Sequence, residues 1–146
     1  MINIVLASHG RFCEELLSTL KMVAGDDFAI QAVPLFPGES AETYRSRLAE
    51  AIQKNYTTAG ILVISDIVGG TPYNSAVYLS KDYTIGIVSG MNMPMLLTVG
   101  FSRNEESSLD ELIALAAESG SAGVKGTNLS KERGNRREKL SINKNR

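Results

Sequence analysis

The sequence predicts an α/β fold, and three observations carry that prediction. Short runs rich in β-branched residues alternate with longer segments of helical periodicity. The β-branched runs are continuously apolar, as expected for strands that are buried on both faces of a parallel sheet. The chain has 146 residues, 43% of them hydrophobic and 21% charged, which is typical of one globular domain. Together these features predict a doubly wound, flavodoxin-like, mostly parallel sheet of four strands.

Strands and helices are expected to alternate along the chain. The predicted strands are residues 2–7, 28–35, 60–65 and 84–88. The predicted helices are residues 12–23, residues 40–54, a segment after Pro72, and residues 108–120. Ser40 and Ser108 are suited to cap their helices, and Asp110 and Glu111 would lie near the positive end of the last helix dipole.

The charge of the chain is divided between its two parts. Residues 1–124 carry 7 basic and 14 acidic side chains, whereas residues 125–146 carry 8 basic and 2 acidic ones. We therefore divide the chain into a domain, residues 1–126, and a basic tail, residues 127–146, which has too few apolar residues to offset the entropy of ordering. A basic arm can contact nucleic acid, but the tail has no interleaved aromatic residues, so a solvated segment is expected and no nucleic-acid partner.

The cysteine content and the N-terminus bear on localisation. Cys13 has no second cysteine to pair with, which fits a reducing cytoplasm, and the apolar run near the N-terminus is too short for a signal peptide or a membrane span. We therefore expect a cytoplasmic protein.

Ligands of a doubly wound sheet bind beyond the carboxyl ends of its strands. The only histidine, His9, follows the first predicted strand, and Asp66 follows the third. A carboxylate at this position can accept a hydrogen bond from one imidazole nitrogen and leave the other as a nucleophile. A lone histidine is also often a structural or surface residue, and an aspartate here also suits a loop or a helix cap.

A glycine-rich turn follows Asp66 directly. Gly69, Gly70 and Thr71 precede Pro72, which suits the first turn of a helix, and the free amides of such a helix start can bind an anion. Gly10, beside His9, is a further candidate for this phosphate-binding set. Glycine-rich turns are also common structural joints, so the turn indicates a phosphohistidine site only together with His9 and Asp66.

Several classes of chemistry are excluded by the motifs. One histidine and one cysteine supply no zinc-ligand set, and no metal or other cofactor is expected. The sequence has no G-x-x-x-x-G-K-[ST], G-x-G-x-x-G or G-x-S-x-G motif. A nucleotide is therefore not expected as the source of a phosphoryl group. A histidine phosphatase or mutase would need an arginine at Ser8 and a second histidine.

Other residues beside these loops are candidates for contact with a partner. Arg11 and Phe12 follow His9, Pro37 and Gly38 follow the second strand, and Met91 opens a methionine-rich stretch after the fourth. Methionine clusters are more often core, although flexible thioethers also suit a partner surface. Arg11 and Phe12 are equally suited to start a helix.

Five segments resemble the IIA component of the mannose-type (mannose, fructose and sorbose) bacterial sugar phosphotransferase system, over about residues 1–125. They are S-H-G, F-P-G-E-S-A-E-T, S-D-I-V-G-G-T-P-Y-N-S-A, V-S-G-M-N-M-P-M-L-L and L-D-E-L-I-A-L-A. The resemblance implies a phosphotransferase with a phosphohistidine intermediate. In it, His9 receives phosphate from the phosphocarrier protein and passes it to the IIB component, which serves the membrane permease IIC/IID. Asp66 resembles the partner of that histidine, and Thr71 the hydroxyl close to the phosphate.

Two related functions remain open. The phosphocarrier subunit of phosphoenolpyruvate-dependent dihydroxyacetone kinase shares the implied fold and histidine, although G-G-T-P-Y-N favours the sugar-transport class. A phosphorylation-state sensor that binds a regulator would have the same site.

The edge of the predicted sheet bears on assembly. An open sheet leaves an unpaired edge, and residues 121–126 are short and extended enough to form a strand. In the family that the sequence resembles, this segment becomes an antiparallel edge strand exchanged in a homodimer.

Overall fold

The computed structural model describes residues 1–131, 133 and 134 and has the predicted α/β architecture. Four strands form one parallel sheet, and five named helices connect and follow them. The strands are β1 (Asn3–His9), β2 (Gln31–Leu35), β3 (Ile61–Ser65) and β4 (Ile85–Ser89). The helices are α1 (Phe12–Ala24), α2 (Ala41–Asn55), α3 (Thr71–Leu79), α4 (Met93–Ser102) and α5 (Leu109–Ala122).

The strand order is β2-β1-β3-β4, with every neighbouring pair parallel. Alternate side chains of β1 enter two separate cores: Ile4 and Leu6 pack with α1, α4 and α5, whereas Val5 and Ala7 pack with α2 and α3. Helices therefore cover both faces of the sheet. This arrangement explains why the strands are continuously apolar and lack the alternation of a one-sided sheet.

The second strand starts later than the sequence predicts. Phe28 and Ala29 have φ values of 55° and 59°, which lie in the left-handed region and cannot continue a strand. The side chains of Asp26 and Asp27 accept hydrogen bonds from the amides of Phe28 and Ala29, respectively, and so stabilise this turn. The pairing with β1 consequently begins only at Gln31.

Helix α4 is an element that the sequence analysis did not predict. Asn92 caps it by accepting a hydrogen bond from the Met95 amide at 3.0 Å, and Pro94 lies in its first turn. The methionine-rich stretch is thus largely core, with Met91 and Met95 only 5% and 2% exposed.

Helix α5 ends later than predicted. It includes Ser121 and Ala122, so these two residues are helical in the single chain and do not form the expected strand. The described residues that follow, 123–128, also form no strand. A strand exchanged between two copies has its pairing partner on the other copy, so the exchange itself stays a prediction.

The start of the basic tail contains a helical turn. Residues 129–131 are helical, and the Asn128 side chain accepts hydrogen bonds from the amides of Ser130 and Lys131. Residue 132 and residues 135–146, on which most of the prediction of an unordered tail falls, lie outside the described residues. None of the helices among the described residues has both the length and the apolar character that spanning a bilayer requires.

Candidate active site

The parallel sheet brings the loops after its four strands to one edge, which we call the carboxyl rim: residues 8–12, 36–40, 66–72 and 89–92. β1 lies between β2 and β3, and His9 is the last residue of β1. Asp66 follows the last residue of β3, whose Ser65 is in register with Ala7. Adjacent strands therefore place His9 and Asp66 side by side, as the sequence predicts.

The carboxylate of Asp66 holds both the backbone and the ring of His9. Asp66 Oδ2 accepts a hydrogen bond from the His9 amide at 2.9 Å and lies 2.8 Å from His9 Nδ1. The other oxygen, Oδ1, accepts from the Ile67 amide at 2.9 Å. An ionised carboxylate only accepts hydrogen bonds, so this contact selects the tautomer of the neutral ring in which Nδ1 carries the proton and Nε2 has the lone pair.

The two side chains differ in exposure in the way that a nucleophile and its orienting group require. The His9 side chain is 50% exposed, whereas that of Asp66 is 18% exposed. Nε2 is consequently accessible to a reacting group, while the hydrogen bond on Nδ1 is partly shielded from water. The pair is suited to nucleophilic chemistry at Nε2.

Gly70 packs directly against the imidazole ring. A Cβ atom at this position would lie 2.4 Å from His9 Cε1 and 2.9 Å from Nε2, closer than any real side chain permits. Gly70 is therefore needed because the backbone approaches the ring and not because of its own φ. Asp66 and Gly70 together fix the plane of the ring.

The start of α3 lies beside the nucleophilic nitrogen. Gly70 is the N-cap residue, Thr71 is the first helical residue, and the described hydrogen bonds leave the amides of both without an acceptor. Gly69 has a φ of 85°, and its carbonyl accepts a hydrogen bond from Asn74 Nδ2 at 2.9 Å. These free amides and the positive end of the helix dipole can stabilise an anionic group that is bound to Nε2.

Gly10 has a different role from the one that the sequence analysis assigned to it. Its amide donates to the Leu35 carbonyl at 2.8 Å, so it is not free to bind a phosphate. Its φ of 56° permits the turn from β1 into α1. The buried Ser8 hydroxyl supports the same turn by accepting from the Cys13 amide and donating to the Gly10 carbonyl.

An ion pair fixes the loop between β2 and α2. Arg47 donates to both carboxylate oxygens of Glu39 at 2.7 Å and also to the Pro34 carbonyl. The Arg47 guanidinium holds the pKa of the Glu39 carboxyl below its usual range. Pro37 and Gly38, two of the predicted contact residues, are exposed at the tip of this fixed loop.

The predicted contact residues divide into exposed and buried ones. Arg11 and Phe12 are exposed, with Phe12 at 49%. The prediction of Met91 as a contact residue is wrong. Its side chain is 5% exposed and belongs to the core, so it is not available to a partner.

Three exposed apolar side chains on the carboxyl rim were missed in the sequence analysis. They are Phe36, Ile67 and Val68, which are 46%, 59% and 63% exposed. The available signal was the occurrence of large apolar residues in loops, where polar residues are the norm. Exposed apolar residues around a reactive group are typical of a surface that another protein covers.

The described residues contain no group of three or more metal-ligating side chains that could hold an ion. The chemistry that the site itself offers is nucleophilic attack by an imidazole nitrogen, with an anion-stabilising helix start on the adjoining side. That combination is chemically suited to carrying a phosphoryl group.

The family comparison agrees with this chemistry. Residues 3–117 match the family model described as "PTS system fructose IIA component". The chain belongs to this family.

The similar proteins include sugar-specific IIA components. The chain is 37% identical over 126 residues to the mannose-specific EIIAB component of Escherichia coli, covering 85% of this chain and 39% of that protein. It thus spans about two fifths of the length of that relative. It is 32% identical to the fructose-specific EIIA component of Bacillus subtilis, covering 77% of each chain.

Solved structures show the same fold. The EIIA component from Streptococcus agalactiae has a TM-score of 0.78 at 30% identity and covers 90% of this chain and 99% of its own. The mannose/sorbose-specific IIA subunit from Enterococcus faecalis has a TM-score of 0.80 at 27% identity, with 87% and 95% coverage.

Proposed function

We propose that this IIA protein carries a phosphoryl group on His9 Nε2, receiving it from the phosphocarrier protein of the phosphotransferase system and passing it to a IIB component. The observation that carries the proposal is the fixed ring of His9, which has Nδ1 bound to Asp66 and Nε2 exposed beside the start of α3. Membership of the IIA family supports the same function.

In the proposed reaction, the Nε2 lone pair attacks phosphorus while the bond between phosphorus and the donor breaks. The phosphocarrier protein leaves with that electron pair on the atom that had held phosphorus, and this atom is free to take up a proton. Because Nδ1 keeps its proton, the phosphorylated ring is cationic, and the Asp66 carboxylate offsets that charge. The amides of Gly70 and Thr71 face the transferred oxygens, and the Thr71 hydroxyl adds a donor. Transfer to IIB is the same displacement in reverse, with Nε2 as the leaving group.

The relatives favour sugar transport over the two other candidate functions. The matching proteins with 30% identity or more include mannose-specific, fructose-specific and sorbose-specific phosphotransferase components. No feature of the site favours the dihydroxyacetone kinase subunit or the regulatory sensor. The expected partners are therefore the phosphocarrier protein and IIB in the cytoplasm, with indirect attachment to the IIC/IID permease through IIB.

The proposed site is tested by incubating the full chain with phosphoenolpyruvate, enzyme I and the phosphocarrier protein. One acid-labile, base-stable phosphoryl group is expected per chain, and a labelled chain is expected to pass it to IIB. The H9A variant is expected to remain unlabelled at an unchanged melting temperature. Label that persists in H9A would contradict the assignment of His9.

We also propose a homodimer in which the segment after Ala122 pairs with the β4 edge of a second copy. β4 is an edge strand, and its Ile85 and Ile87 side chains are only partly buried in the single chain. Removal of residues 127–146 is expected to leave the dimer intact, and removal from Ser121 onward to give aggregating protein. A strictly monomeric full-length chain in sedimentation at micromolar concentration would contradict the dimer.

A further inference from the structure

A groove between α2 and α3 opens beside the candidate active site. It has a volume of about 230 Å³ and is lined by Ala41, Arg45, Thr71, Asn74, Ser75 and Tyr78. Thr71 follows Gly70, the residue that contacts the His9 ring, so the groove adjoins the reaction centre. Any protein that reaches His9 Nε2 must cover the neighbouring surface.

Two cations surround the exposed ring of Tyr78 at this groove. The Arg45 Cζ atom lies 4.1 Å from the ring centroid, and Lys81 Nζ lies 3.9 Å from it. Such contacts orient a cation, and they leave it able to bind an anion as well. The ring therefore holds Arg45 in place within the groove.

Arg45 lacks the polar partners that the other arginines of the domain have. Arg11 and Arg47 each pair with a glutamate, and Arg103 donates to backbone carbonyls. Within the described residues, the Arg45 side chain has no ion pair or hydrogen bond, only the contact with the ring. Acidic side chains outnumber basic ones two to one in residues 1–124, so this lack of a partner is not due to a shortage of carboxylates.

We propose that the groove binds an acidic side chain of the protein that exchanges phosphate with His9, and that Arg45 recognises it. This inference rests on the proposed function. A guanidinium binds a carboxylate through two parallel hydrogen bonds, which adds geometric specificity to charge. The exposed Ile67 and Val68 lie on the loop that leads into α3, so they supply apolar contacts to the same partner.

A carboxylate carried by a docked protein fits this groove better than a free anion. Arg45 is only partly buried, and one partly hydrated guanidinium holds a small ion weakly. A carboxylate on a protein that is already bound at His9 has a high effective concentration at the groove, so the same contact contributes more. Arg45 is thus a specificity-determining residue for docking and has no part in the chemistry.

The test compares the transfer kinetics of the R45Q variant with those of the wild-type chain, for the phosphocarrier protein as donor and for IIB as acceptor. The matched control is K54Q, which removes one positive charge from the exposed last turn of the same helix. R45Q is expected to raise KM about fivefold for at least one partner, with kcat unchanged. It is also expected to weaken the salt dependence of that KM, and K54Q to leave both unchanged.

Exchanging the charges of Arg45 and of the partner's acidic residue identifies the side chain that occupies the groove. R45E is expected to raise the same KM about tenfold or more, and a partner whose contacting Asp or Glu is changed to Lys is expected to restore it. An R45Q variant with wild-type KM for both partners would overturn the inference, as would one that alters only the dissociation of a dimer. A wild-type chain that is never phosphorylated would instead overturn the proposed function.

Discussion

The two ends of the sheet use polar side chains in opposite ways. At the carboxyl rim, Asp66 binds His9 on one side only, so that Nε2 remains exposed and unbound. At the amino end, Arg103 donates to the carbonyls of Ile2 and Phe28 and ties the start of β1 to the turn before β2. The Asp66–His9 pair keeps a reactive atom free, whereas Arg103 joins two segments of backbone.

The surroundings of the Asp66–His9 pair and of Arg103 also differ. The rim combines exposed side chains with backbone amides that have no acceptor. Arg103 is half-buried, and burial lowers the pKa of its guanidinium. We infer that substitutions at the rim reduce transfer with small effects on stability, and that substitutions at the amino end have the reverse effect.

The largest effect is expected from Asp66. The D66A variant loses the group that keeps the proton on Nδ1 and offsets the charge of the phosphorylated ring, so transfer is expected to slow by about 10²-fold. Rapid-quench measurement of phosphoryl transfer checks this, with D82A as an exposed acidic control. A wild-type rate in D66A would remove the carboxylate from the mechanism.

Gly70 is expected to have the next largest effect on transfer. In G70A the new methyl group displaces the His9 ring, and a displacement of about 1 Å can cost up to roughly 10²-fold in rate, so we expect about 30-fold. G134A is the control, because a Cβ there meets nothing within 4 Å and the residue lies in the basic tail. Unchanged kinetics in G70A would show that the ring position is not critical.

Arg103 is expected to affect stability only. R103M leaves two backbone carbonyls without their donor but removes a half-buried charge, so a net loss of about 2 kcal/mol is expected. That corresponds to a decrease of about 6 °C in melting temperature, measured by calorimetry. K21M is the exposed control. A slower transfer step in folded R103M would contradict the division between the two ends.

The smallest effect is expected from the Glu39–Arg47 pair, and it depends on pH. Because Arg47 lowers the folded-state pKa of Glu39, the stabilisation is present above the unfolded value of about 4.3 and is lost as the pH falls through the folded value. E39Q is expected to melt about 2 °C below the wild type at pH 7. This difference is expected to vanish in acid, and a constant difference would contradict the assigned cause.

The sequence was most informative where the pattern is local. The apolar runs predicted all four strands, and Ser40 and Ser108 do cap α2 and α5 through the amides of Thr43 and Glu111. The positions of His9 and Asp66 at strand ends were sufficient to place them together. These features depend on periodicity and capping, which are written in consecutive residues.

Features that depend on tertiary contacts could not be predicted. No helix was predicted for the methionine-rich stretch, and its preference for the core was weighed against a partner surface; the packing of Met95 beside α5 shows that it is buried. Gly70 was assigned to phosphate binding, and its contact with the His9 ring follows from the packing of β1 beside α3. Phe28 has the composition of a strand residue, yet the aspartates before it form a turn.

We propose that Asp66 occupies Nδ1 and leaves Nε2 as the phosphorylated atom. Phosphorylation of the ¹⁵N-histidine-labelled chain by phosphoenolpyruvate, enzyme I and the phosphocarrier protein, followed by NMR of the imidazole nitrogens, tests it directly. A phosphorus coupling at Nε2, with Nδ1 still protonated, is the predicted result. Phosphorus bonded to Nδ1 would contradict the assignment of Nε2 as the phosphorylated atom.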